Sequence, residues 1–88
     1  MNDFLSVGSV VRLKKKNTVR ISIVGYYPIN NNNRYDYLGV VIPFGYMPEA
    51  SMILFNHEEI EDIEFLGYKD KDFTVFEKVL MSVKSENI

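Results

Sequence analysis

The chain contains no cysteine, no tryptophan and a single histidine, His57. Without cysteine there is no disulfide, no thiolate ligand for a metal and no thiol nucleophile, which fits a reducing compartment. One histidine cannot make a histidine metal cluster within the chain, and as a general base it would need a nucleophile brought to it by the fold. Long apolar runs are missing too: nothing approaches the roughly 20 residues that a membrane-spanning helix needs. The start, Met1-Asn2-Asp3-Phe4-Leu5, lacks the basic region and apolar stretch of a signal peptide. Gly8 alone, or Gly39 and Gly45 around Pro43, makes neither a dinucleotide fingerprint nor a phosphate loop. These absences lead to the expectation of a cytoplasmic chain, not exported on its own, that is not an enzyme and holds no metal or cofactor.

What remains is ample for one core. With 88 residues, 47% of them apolar and 14% aromatic, the composition fills a single domain over 1–88 and falls short of two. Charge is divided along the chain: residues 1–44 carry six basic residues against two acids, a net +4, and residues 45–88 carry four against ten, a net −6. Such a split either orients a partner or is spent on pairs between basic and acidic loops.

Hydrophobic periodicity predicts five strands. Val7, Ser9, Val11 and Leu13 alternate with Gly8, Val10, Arg12 and Lys14, the period of a strand over 7–14. The polar run Lys15–Thr18 reads as a hairpin turn into a second strand over 19–27, ended by Pro28, which cannot donate to a ladder. Asn30–Asn33 reads as a mobile polar tip. A third strand follows over 34–42, with Val40, Val41 and Ile42 expected at the centre of the core. The Phe44–Ala50 loop is rich in apolar residues and is expected to fold back over the sheet. Strands over 52–55 and 62–68 flank a helical turn opened by Asn56-His57-Glu58-Glu59, which has the form of a capping box. From Asp70 the period changes to three and four, with Phe73, Phe76, Leu80 and Val83 on one stripe, predicting an amphipathic helix over 71–84. Val75 and Val79 widen its apolar arc beyond what one packing face requires, so the helix is expected to touch both the sheet and a partner. The class is mainly β (α+β): a small SH3-like, five-stranded curled sheet or barrel followed by an amphipathic helix. Periodicity does not order strands in space, and an open antiparallel sheet backed by the helix reads almost identically.

Three groups of residues bear on function. His57 stands among Glu58 and Glu59 in the capping turn, where an exposed polar residue is expected without any role in catalysis. The acids Glu58, Glu59, Glu61, Asp62 and Glu64 lack the alternating oxygen ligands and glycine of a calcium loop and read as a solvated face. Arg12, Lys14, Lys15, Lys16 and Arg20, with Tyr26, Tyr27, Tyr35 and Tyr37 nearby, form the one pattern able to bind single-stranded nucleic acid by charge and stacking. A sequence pI near 5.3 and the place of the lysines at a hairpin tip weigh against it. The third group is Tyr35, Tyr37, Phe44, Tyr46 and Met47, with Phe76 and Val79 on the helix, which has the composition of a protein-docking surface. Twelve tyrosines and phenylalanines are more than so small a domain can bury.

The motif order carries a further signal. Val7-Gly8-Ser9-Val10-Val11-Arg12-Leu13-Lys14, Tyr35-Asp36-Tyr37-Leu38-Gly39, Pro43-Phe44-Gly45-Tyr46, and Phe55-Asn56-His57-Glu58-Glu59-Ile60 through Phe65-Leu66-Gly67-Tyr68 together resemble the domain of unknown function 4176 family. The resemblance spans roughly residues 5–80. It implies a small protein of Gram-positive type VII secretion gene clusters, encoded beside toxins with an LXG-type export domain. Its implied role is that of a cytoplasmic adaptor or chaperone for such a toxin, with no enzymatic activity. The readings kept beside it are a small nucleic-acid-binding barrel and an immunity protein that occludes the toxin.

Overall fold

A computed structural model describes residues 3–49 and 51–86. Its elements are β1 (Val10–Leu13), β2 (Lys16–Tyr26), β3 (Ile29–Asn30), β4 (Asn33–Arg34), β5 (Tyr37–Ile42), β6 (Ile53–Phe55), a 3₁₀ turn (His57–Glu59), β7 (Ile60–Phe65) and α1 (Lys71–Glu86). Five strands make one antiparallel sheet in the order β6-β5-β2-β1-β7, and β3 pairs with β4 in a separate small hairpin. The protein is thus mainly β with a C-terminal helix, as expected, and the sheet is not closed into a barrel.

Register decides which side chains face inward. Val11 lies opposite Ile21, Ile21 opposite Val41, Ile23 opposite Gly39, and Tyr37 opposite both Tyr26 and Phe55. These residues share one face. Across that face lie Phe4 and Leu5 from the N-terminal segment and Leu80 from α1, completing a core with Val11, Leu13, Ile21, Ile23, Tyr37 and Phe55. Gly39 is required there because a Cβ would stand 2.4 Å from Ile21 Cγ2 and 3.2 Å from Phe55 Cε1. The Gly67 backbone passes close over Val7–Ser9, and its N–H donates to the buried Ser9 Oγ at 2.9 Å.

Several boundaries differ from expectation. The first strand starts at Val10, because Gly8 adopts φ +92° in a turn whose N–H donates to Ile23 O. The hairpin turn is Lys14–Lys15, two residues long, so Lys16–Thr18 belong to β2 rather than to the loop. The asparagine tip is no open loop: Asn30 pairs with Asn33, and Asn31 and Asn32 have φ of 52° and 66°. Positive φ at both central residues matches the twist of flanking strands, and asparagine tolerates it. In β5 the buried end is Tyr37–Val40; Val41 and Ile42 are half-buried because pairing with β6 stops at Gly39. The loop after β5 does not fold back to bury its aromatic residues, and Ala50 lies outside the described residues. Of the expected stripe, Phe73, Leu80 and Val83 are buried or half-buried, joined by Glu77, Met81 and Lys84, and Phe76 is exposed.

Candidate functional site

Two features stand out: a polar cluster around Asp36 and His57, and apolar side chains left in solvent. The polar cluster forms where the start of β5, the 3₁₀ turn and α1 converge. Asp36 Oδ1 accepts from Lys84 Nζ at 2.7 Å, and Asp36 Oδ2 accepts from the His57 N–H at 2.9 Å. The Asp36 N–H donates to Asn56 Oδ1 at 3.1 Å. The expected capping box forms between Asn56 and Glu59, with Glu59 accepting from the Asn56 N–H at 2.8 Å, and the Asn56 side chain accepts from the Asp36 N–H as well.

Tyrosine hydroxyls extend the cluster inward. Tyr37 Oη accepts from the Leu5 N–H at 3.0 Å and lies 2.8 Å from His57 Nδ1. Tyr26 OH donates to Leu5 O, Tyr27 OH donates to Leu80 O, and Glu77 accepts from the Phe4 N–H. These bonds fasten the N-terminal segment and the helix onto the sheet. Burial pushes Tyr26 up to about 12, with the Glu77 carboxylate adding to the rise, and it raises Tyr37 and Tyr27 as well. His57 is lowered by burial against the opposing pull of Asp36, which keeps its ring neutral at neutral pH. Rather than standing exposed on the turn, His57 is half-buried within this network. Beside the cluster opens a polar cavity of about 830 Å³, lined by Asn33, Arg34, Asp36, His57, Glu58 and Lys84. Arg34 lies over the Tyr27 ring at 4.3 Å. Within the cluster, the side-chain bonds described link one part of the chain to another. Among the described residues no group of three or more histidines, cysteines or acids is placed to hold a metal, and no helix is long and apolar enough to cross a membrane.

The docking residues expected from sequence fall into three places. Phe44, Tyr46 and Met47 share the loop after β5 and are exposed, Phe44 to 66% and Tyr46 to 70%. Gly45, at φ +68°, anchors that loop by donating its N–H to Val41 O. Phe76 and Val79 lie on the outer side of α1 beside Val75, where Val75 and Val79 are 65% and 52% exposed. Phe76 also meets Tyr26 edge-on at 5.6 Å. Tyr35 is half-buried, and Tyr37 is wholly buried and inaccessible to a partner, since its ring fills the core against Phe4 and Phe55. Sequence reasoning missed further exposed apolar residues, Phe65, Leu66 and Tyr68, along and after the edge strand β7. The FxGY run was the available signal, because Gly67 holds its backbone against Val7–Ser9 and leaves the flanking rings in solvent.

The basic stretch and the tyrosines are not brought together. Arg12 is engaged with Glu64 and with Asn17 O. Tyr26 lies ten residues along β2 from Lys16, up to about 30 Å of strand, and its hydroxyl is spent on Leu5 O.

No curated protein and no solved structure matches the chain. A family model does: that of the domain of unknown function DUF4176, over residues 4–76. This stretch runs from the buried Phe4 through every strand into α1, so the chain belongs to the DUF4176 family.

Proposed function

We propose that the protein is a non-enzymatic accessory protein that works by binding another protein, serving as a cytoplasmic adaptor or chaperone for an LXG-type toxin of a type VII secretion system. The observation that carries the binding part is the placement of Phe44, Tyr46 and Met47 together in solvent on one anchored loop. Aromatic residues and methionine are enriched at the centres of protein interfaces, and exposed rings without a partner cost solubility. The titratable residues of the polar cluster support the non-enzymatic part, because their bonds hold the fold together. The toxin itself enters through the family's implied gene neighbourhood.

The test is co-expression with the adjacent toxin. The toxin should co-purify with the native protein and be lost with Phe44→Ser/Tyr46→Ser, whose thermal midpoint should stay near that of the native chain. Affinity purification from the native host that recovers neither a toxin nor a secretion component would remove the reading. A cell-protection assay separates an adaptor from an immunity protein: protection of a susceptible cell by this protein alone marks the latter.

A further inference from the structure

We propose that the slot between the outer edge of β6 and the β1–β2 turn receives an extended segment of the partner, carrying acidic and apolar residues, laid alongside β6. The proposal rests on the protein-binding reading above and specifies its chemistry.

The slot exists because the sheet does not close. β6 ends the sheet with β5 as its one neighbour, so its outer edge has no ladder partner among the described residues. An unpaired edge offers main-chain donors and acceptors to an added strand. Facing it is a cavity of about 380 Å³ whose apolar floor is Leu13, Ile53 and Leu54, a size in the range of sites that hold small ligands. β6 is only three residues long, so ladder bonds alone are few and side-chain terms must supply the rest of the affinity.

Charge selects the occupant. Lys14, Lys15 and Lys16 form one wall, all exposed, and the ion pairs among the described residues are made by Arg12 and Lys84 instead. Glu58 and Glu59 line the slot beside the lysines, the Lys14 N–H donating to Glu59 O at 2.9 Å, and the Glu59 carboxylate is engaged by the Asn56 N–H. An occupant therefore places its carboxylates against the lysines and none beside Glu58. A second copy docked symmetrically through the same slot does not fit, since it would bring a lysine wall against a lysine wall. A nucleic-acid strand would gain the lysines but waste the apolar floor and meet Glu58. The Phe44–Met47 loop leaves β5 at Ile42, which pairs with Arg20 near the start of β2, so it rises at the same end of the sheet as the lysine turn.

The experiment uses the full chain and a fluorescent heptapeptide of alternating valine and glutamate, followed by anisotropy. Its counterpart with lysine for glutamate and a single-stranded oligonucleotide serve as controls. The acidic peptide should bind, and weaken as salt is raised. The variant Lys14→Glu/Lys15→Glu/Lys16→Glu should lose about tenfold in affinity, the sum of three exposed charge contacts of ordinary strength. Val75→Ser/Val79→Ser, on the helix, should bind it as the native chain does. Equal binding of the lysine peptide, undiminished binding by the triple variant, tighter binding of the oligonucleotide, or no binding of the acidic peptide would each overturn the proposal. Toxin co-purification with the triple variant separates the two claims: an undiminished yield removes the slot while leaving the adaptor reading intact.

Discussion

Asp36 shows how one residue ties distant parts of the chain together. Its carboxylate serves the 3₁₀ turn through the His57 N–H and the helix through Lys84, while its backbone N–H engages Asn56 and its carbonyl accepts from the Tyr27 N–H. Lys84 is 42% exposed at its side chain, so the ion pair contributes little and the bond to the half-buried His57 N–H matters more. Asp36→Ala should lower unfolding stability by about 1–3 kcal/mol, the cost of leaving a buried polar group unpaired. Asp36→Asn keeps an acceptor oxygen and should lose less. Urea midpoints of the two variants decide this, and an unchanged midpoint for Asp36→Ala would show that the cluster does not hold the fold. The sequence marks Asp36, Asn56 and His57 as turn and cap residues. That Asp36 meets Lys84, 48 positions away, depends on how the helix lies, which local pattern does not contain.

Among the elements, α1 separates what periodicity shows from what packing chooses. Spacing of three and four announces the helix and nearly its ends, but the chain offers apolar residues over a wide arc. The stripe through Phe73, Phe76, Leu80 and Val83 and the observed face, which keeps Phe73, Leu80 and Val83 and adds Glu77, Met81 and Lys84, differ by a modest rotation. The rotation follows from Glu77 reaching the Phe4 N–H and Lys84 reaching Asp36, polar contacts that an apolar stripe does not register. Leu80→Ala should therefore cost about 2–4 kcal/mol by emptying a filled core position, whereas Val79→Ala should stay within about 0.5 kcal/mol as a surface change. Chemical denaturation of both variants tests the assignment of faces, and a reversed order would refute it. The hairpins tell a similar story: polar residues announce a turn, and the ladder register fixes which two of them make it.

For the molecule as a whole, stability should fall on both sides of neutrality. His57 has a folded-state value below its ordinary one, so as pH drops under about 6.5 the unfolded chain takes up a proton that the folded chain resists. Stability declines there and levels off once the folded ring is also protonated. Tyr26, pushed up to about 12, and Tyr37, also raised, act at the other end. Above about pH 10 the unfolded chain loses phenolic protons that the folded chain retains, and stability is lost as pH rises through the folded values. Thermal midpoints should peak near neutrality and drop at roughly pH 5 and pH 11. An absorbance titration should show some of the six tyrosines ionising late, and all of them titrating together near their ordinary value would contradict the burial of Tyr26 and Tyr37.

By itself the sequence determined the main classes of element, their order apart from the β3–β4 hairpin, and the family, because period, turn residues and motif order are local properties that survive without a partner in space. It also determined that histidine and cysteine metal clusters are out of reach. Only the tertiary structure decided that Phe4 and Leu5 belong to the core, that Tyr37 is buried rather than offered to a partner, that the sheet stays open beside β6, and that the Lys14–Lys16 wall faces an apolar slot. Each of those depends on contacts between segments far apart in the chain, and the free energy of such contacts is set by register and packing.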